Sequence, residues 1–280
     1  MKSICDALEV SRSNLYGTQK PHGKRHPIEH GSKVELNDRS LEERLKSIVK
    51  QRPSYGYRRA TAVLNRSLLK EGLGKVNHKR VYRVMKQSGL LLPKYTGKKV
   101  IRRHEGHIHT LRSNTMWCSD ALTFKCWDNQ KIECAFVLDT CDREVISMVS
   151  KEGNLTSQDI QNLIIGAVER RFPNQLLPPR AIAWLTDNGS IFTATQTQRV
   201  ATGLGLKPCQ TPAYSPQSNG MSEAFVKRFK QDYVYVNELH DSNQVIKWIP
   251  EWIMDYNRNH PHKALNMLSP MEFRERISQL

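Results

Sequence analysis

The 280 residues contain no apolar run approaching the roughly 18 that a membrane-crossing helix needs, which excludes a membrane class. A secretory leader is missing too: the opening MKSICDALEVSRSNL carries Asp6 and Glu9 where a leader is apolar throughout, so the expected location is the cytoplasm. No C-x-x-C pair occurs among the six cysteines (Cys5, Cys118, Cys126, Cys134, Cys141, Cys209), which argues for reduced, mostly buried thiols over a disulfide framework. His104, His107 and His109 precede Cys118, yet the second close ligand pair of a structural zinc site is lacking, and zinc is not expected. Acidic residues are scarce in one part of the chain only. Residues 1–113 hold 26 Lys+Arg against 9 Asp+Glu and residues 114–280 hold 17 against 18, so the net +16 comes entirely from the front. A basic module joined to a near-neutral one suits a polyanion-binding part attached to a part with another task. With no amphipathic membrane helix in view, nucleic acid is the expected partner.

Helical spacing dominates the basic part. Residues 3–16, SICDALEVSRSNLY, place Ile4, Ala7, Leu8 and Leu15 on one face with a break near Ser11, the shape of the second half of a helix-turn-helix that exposes Arg12 and Asn14. We read residues 1–20 as that partial motif and the Gly-, Pro- and His-rich residues 21–37 as a linker. A helical DNA-binding region fills 38–93. Its first helix, DRSLEERLKSIVKQ, has Asp38 or Ser40 as cap and Leu41, Leu45, Ile48 and Val49 as stripe; YGYRRATAVLNRSLL follows, then VNHKRVYRVMKQSGLL with Val81, Val84 and Met85 inside. Short helices with a basic last member suit a major groove, which makes Arg58, Arg59, His78, Lys79, Arg80 and Arg83 candidate DNA contacts; a solvated basic face is the alternative. Residues 94–113 form a basic linker suited to tracking phosphates.

After Asn114 the period changes. MWCSDALTF, KIECAFVLDT and EVISMVS read as strands, TSQDIQNLIIGAVERRF as a capped helix, RAIAWLTDNGS as a strand and turn, TQTQRVATGLGL as a helix and KPCQTP as a fifth strand. The order βββαβαβα implies one mixed sheet covered by helices. Asp120 falls in the first strand, Asp187 at the end of the fourth, and Glu223 at the start of the helix after the fifth, with 35 residues between the last two. If strands one and four are neighbours, their carboxylates meet and the helix delivers the third. Three oxygen donors without His or Cys describe a hard-cation site, Mg²⁺ or Mn²⁺ in place of zinc. Asp139, ending the second strand, is a rival ligand from spacing alone. In SPQSNGMSEAFVKRFK, Lys227 and Lys230 share with Glu223 a sector of roughly 60° at about 100° per residue, away from Phe225 and Phe229. Helix-dipole and Glu–Lys pairing would explain that face without any chemistry.

The strings WCSDALTF, LTDNGSIF and SPQSNGMSEAFVKRFK, the closing YNRNHPHKALNMLSPMEF, and SYGYRRATAVLNR with VNHKRVYRVMKQSGL in the helical part resemble the integrase-like transposases of bacterial insertion sequences. The resemblance spans nearly the whole chain. More closely, the chain is similar to the downstream-frame (OrfB-type) product of elements whose transposase is joined from two overlapping reading frames. This implies an α/β, ribonuclease-H-like core of retroviral-integrase type at 114–235, with a mixed five-stranded sheet, and a C-terminal helical extension at 236–280. It implies that Asp120, Asp187 and Glu223 are catalytic and hold two Mg²⁺ or Mn²⁺ ions, cleaving element ends and joining them to target DNA by in-line hydrolysis and transesterification. The implied partners are terminal inverted repeats and target DNA, further copies of the chain in a homo-oligomer on DNA, and an upstream-frame product fused to or associated with it, in the nucleoid of a bacterial cytoplasm. Retroviral integrases carry a zinc module of two His and two Cys that has no counterpart in these residues, which favours the bacterial group and implies no zinc. Lys227 and Lys230 would grip phosphates of the terminal DNA, with Asn188 and Asn219 in the turns beside Asp187 and Glu223 also against DNA. Two other readings stay open: a non-catalytic DNA-binding regulator acting through residues 1–113, and a structure-specific ribonuclease, which would share the core but not the basic front.

Overall fold

A computed structural model describes residues 36–93, 110–210 and 220–278. Three helices come first, α1 (Asp38–Gln51), α2 (Tyr57–Lys70) and α3 (His78–Gln87). The cap of α1 is Asn37, not Asp38 or Ser40: its side chain accepts from Ser40 N at 2.8 Å. That leaves Asp38 to hold Arg80 at 2.7 Å and Arg83 at 2.8 Å, tying α1 to α3. Leu41, Leu45, Leu64, Leu68, Val81 and Met85 close a small apolar core of the unit's own, as the helical stripes require.

The second half, residues 110–278, is one sheet between two helical layers. Its strands are β1 (Met116–Lys125), β2 (Lys131–Asp139), β3 (Val145–Glu152), β4 (Ile182–Thr186) and β5 (Leu206–Gln210), in the order β3-β2-β1-β4-β5. Pairing is antiparallel across β1–β2–β3 and parallel from β1 to β4 to β5. Alternate strand residues face opposite layers. On one side α4 (Ser157–Arg171), begun by a Thr156–Asp159 capping box, packs Ile160, Ile164 and Ala167 against Trp117, Val137 and Trp184. The short α5 (Ser190–Thr193) and α6 (Thr195–Gly203) lead from β4 to β5. On the other side α7 (Gly220–Phe229) and α8 (Ser242–Asn259) lay Phe225, Phe229, Val245 and Ile249 on Cys118, Leu122, Phe136 and Leu138. The helix α9 (Pro270–Ser278) ends the described chain.

Two features depart from the sequence pattern. The helix of α7 widens after Phe229 into a π turn, Lys230–Val234, whose Asp232 and Tyr233 are buried. The three-helix unit also docks on the far half through arginines: Arg52 pairs with Asp255, Arg59 with Asp232 at 3.1 Å and Arg66 with Glu272 at 2.6 Å. Arg59 and Arg66, seven apart on α2, come back to nearly the same side of that helix, while Arg52 reaches across from the residue that ends α1. Among the described residues the five cysteines are free thiols, and no helix is long and apolar enough to cross a membrane.

Candidate active site

Strand pairing sets the first two carboxylates side by side. Cys118 of β1 is level with Leu185 of β4, and two residues further along each chain stand Asp120 and Asp187. Neighbouring strands lie about 4.8 Å apart, so the two backbones approach closely at this level. By strand alternation Asp120 shares a face with Cys118 and Leu122, and Asp187 follows the alternation of Leu185; these three apolar residues belong to the layer that α7 covers. Glu223, in the first turn of α7 and exposed, comes to that same face. Phe225 fixes the helix there by packing edge-on to Phe136, with ring centroids 4.5 Å apart.

The three carboxyls act on one another. Burial pushes the Asp120 carboxyl up to about 6; a bond from Ala121 N at 2.8 Å opposes this, while Asp187 and Glu223 add to it. Asp187 is steadied by Gly189 N, which donates to its Oδ1 at 3.0 Å. A Cβ at residue 189 would stand only 3.0 Å from that same oxygen, so glycine is what lets the turn close this tightly. Among the described residues no three His, Cys, Asp or Glu side chains are already closed to metal-holding distance. The donor set nonetheless suits a hard divalent cation: carboxylate oxygens alone, mutually repelling, with no ion pair reaching Asp120, Asp187 or Glu223 among the described residues. In particular no ion pair joins Glu223 to Lys227 there.

Domain families match in register with this layout. An integrase core domain matches residues 110–216, a second integrase core domain 204–270, and an HTH-like domain 35–99. The transposase InsD of insertion element IS2A/D/F/H/I/K from Escherichia coli is 40% identical over 231 residues, covering 82% of this chain and 76% of the relative. The InsD transposase of insertion element IS2-9 from Escherichia coli strain K12 is also 40% identical, over 82% of this chain and 75% of its own. The chain belongs to the integrase-core transposase family. Among solved structures, the simian T-cell lymphotropic virus intasome in complex with a PP2A regulatory subunit is similar at TM-score 0.47 and 18% identity, over 75% of this chain and 69% of that one.

Within this transposase the other candidate residues have distinct surroundings. Lys227 is exposed on α7 and Lys230 half-buried at the start of the π turn, while Asn188 is exposed directly after Asp187. Arg58, His78, Lys79 and Arg83 are exposed on the three-helix unit, although Arg83 and the half-buried Arg80 both reach Asp38. Arg59 points inward to Asp232. Arg12, Asn14 and Asn219 lie outside the described residues. Asp139 is far from the carboxylate cluster in function: fully buried, it accepts from Asn114 N, Cys141 N and Asp142 N and so caps the β2–β3 turn. Sequence spacing missed Asp232, Asp255 and His260, the acids that pair with the docking arginines and the imidazole that stands against Tyr55. Their partners lie some two hundred positions away, and no local pattern points to them.

Proposed function

We propose that this transposase cuts DNA at the ends of a mobile element and joins them to target DNA at Asp120, Asp187 and Glu223. The observation that carries it is that Asp120 and Asp187 each stand two residues beyond the paired Cys118 and Leu185 of adjacent parallel strands, with Glu223, at the start of α7, close enough to act on the Asp120 carboxyl. These three carboxylates would hold two Mg²⁺ or Mn²⁺ ions, which would supply activation of the attacking oxygen and stabilisation of the leaving one. Asp120, within β1, and Asp187, one residue past the end of β4, would position the scissile phosphate through the cations they hold. Glu223 completes the anionic set from the helix, and Lys227 and Lys230 hold neighbouring phosphates. Water attacks phosphorus in cleavage and a strand's 3′-hydroxyl attacks in joining; each time one P–O bond forms as another breaks, and no covalent enzyme intermediate is required. The exposed bases of α2 and α3 bring the duplex to the site. Further copies of the chain and an upstream-frame product complete the assembly, in the bacterial cytoplasm.

The test is strand nicking of element-end DNA with Mg²⁺ or Mn²⁺, with and without the upstream-frame product. Asp120→Asn, Asp187→Asn and Glu223→Gln are each expected to abolish nicking and joining while DNA binding stays. Nicking that persists in any of the three defeats the assignment. Wild-type protein that binds ends but never cuts them makes the chain a DNA-binding regulator.

A further inference from the structure

A cavity of about 460 Å³ opens on the side of α7 turned away from Glu223, between the start of α2, the β2–β3 turn and the segment after α8. Arg58, Arg143, Arg228 and Lys263 line it, and none of the described residues lining it is acidic. Tyr57, Leu92, Met221 and Met267, each partly open to solvent, supply an apolar wall. Two sealed atoms beside it, Arg143 Nε and His262 Nε2, have no hydrogen-bond partner among the described residues, so the cavity wall carries polar groups that the fold itself does not satisfy. Burial first, and then the neighbouring His260, Arg143, Arg228 and Arg59, hold the His262 imidazole well below its ordinary range. Arg143 sits at φ 64°, a conformation costly to a non-glycine residue, and its side chain reaches the cavity from there. The start of α2 adds to the field, since Gly56 provides no side-chain cap and its first turn has no acid.

A lone phosphate would leave the apolar wall bare, and a volume of this size falls in the range of small-molecule sites, about 300–1,000 Å³. The carboxylate site stands on the other side of a single helix, a separation of about 10 Å. We propose that this cavity takes one unpaired nucleotide of a DNA strand, the phosphate held by Arg58, Arg143, Arg228 and Lys263 and the base laid on the apolar wall. The assignment rests on DNA being the substrate. Its role is to hold a strand that leaves the cutting site single-stranded, so that the duplex and its freed end are gripped on opposite sides of α7.

The experiment compares the full chain's affinity for a blunt duplex with its affinity for the same duplex carrying a short single-stranded tail. The tail is expected to tighten binding about five-fold or more, the gain that stacking one base on an aromatic wall provides. Arg228→Gln combined with Lys263→Gln erases that gain and leaves blunt-duplex affinity unchanged, whereas Arg228→Lys with Lys263→Arg keeps it. Lys263 is exposed, so Lys263→Gln alone, at unchanged melting temperature, guards against misfolding as the cause. A tail that adds nothing, or a gain that survives the glutamine pair, overturns the site while DNA binding itself stands. Free deoxyadenosine monophosphate competing as well as the tailed duplex would make this a free-nucleotide site and overturn it as well. Failure to bind either duplex defeats the DNA reading, and this site with it.

Discussion

Arg59 and Asp232 meet at 3.1 Å across the joint between the three-helix unit and the catalytic half, with the Asp232 side chain only 1% exposed. His260 Nδ1 stands 3.2 Å from the same carboxylate, and Tyr55 packs edge-on to the His260 ring. Burial keeps His260 below its ordinary range despite the acid beside it, so the ring is neutral near pH 7 and donates Nδ1–H to Asp232. An arginine that sequence offers to DNA is thereby an internal fastening, which ties the HTH-like unit to the integrase core.

Removing one partner of a buried pair leaves the other charge stranded, at a cost of roughly 3–5 kcal/mol. Asp232→Asn and Arg59→Gln are each expected to lower the melting temperature by several degrees, and the double variant by less than their sum. The pH profile follows from the sign of the shift. Burial works to raise the Asp232 carboxyl, but His260, Ser54 and Arg59 together bring it below its ordinary value. Its stabilising contribution is therefore complete above about pH 4 and is lost as pH falls through the depressed folded value. Asp232→Asn should flatten that acid limb; an unchanged limb would contradict the fastening.

Asp120 gives the opposite stability result. Its carboxyl is half-buried beside two other carboxylates and receives only one backbone bond, so its charge is a burden on the metal-free protein. Asp120→Asn is expected to abolish cutting and to raise the melting temperature in chelator by a few degrees, an exchange of stability for function. Added Mg²⁺ should raise the melting temperature of the wild type but not of the variant. Asp139→Asn should cut DNA normally, because that residue caps a turn. A destabilised Asp120→Asn, or a dead Asp139→Asn, would reverse the assignment.

Salt titration separates DNA-facing from structural arginines. Arg83 is 59% exposed, whereas Arg59 is 18% exposed. Arg83→Ala should lower the log–log salt slope of duplex binding by about 0.9, the share of one neutralised phosphate. Arg59→Gln should shift the melting temperature and leave the slope alone. Equal slopes in both variants would mean that neither touches DNA.

Lys227→Ala with Lys230→Ala should weaken binding to element ends and slow single-turnover cleavage, with no rescue by added Mn²⁺. Glu223→Asp shortens a proposed metal ligand by one methylene, so its defect should respond to the identity and concentration of the metal. A double-alanine variant that cleaves at the wild-type rate would reduce the two lysines to solvated helix surface.

Periodicity carried most of the fold. The run from MWCSDALTF to KPCQTP gives its strands and helices in order, because each strand alternates and each helix repeats locally. The sequence left open whether the strands of Asp120 and Asp187 are neighbours; the parallel pairing of β1 with β4, through Cys118 and Leu185 two residues before each acid, answers that. Charge was the weak guide. Arg58 and Arg59 are adjacent and chemically identical, yet one is exposed and the other is paired with an acid 173 positions away. Composition cannot separate them, since an arginine turned to solvent and one turned to a buried carboxylate look alike until the chain is folded. The π turn at Lys230–Val234 escaped for the same reason: Asp232 and Tyr233 are drawn to Arg59 and Asp255, partners that no window of the helix contains.

The last helix holds both halves of the molecule at once. Glu272 of α9 pairs with Arg66 of α2, and two residues later Arg274 reaches Glu144 at 2.6 Å, a carboxylate 3% exposed that also faces Arg171. A gene copy whose frame stops before codon 270 would encode every proposed catalytic carboxylate and every basic helix, yet its product would leave Arg66 and Glu144 without these partners. Such a chain would be loosened at two places together and open to cellular proteases, not a stable competitor for element ends.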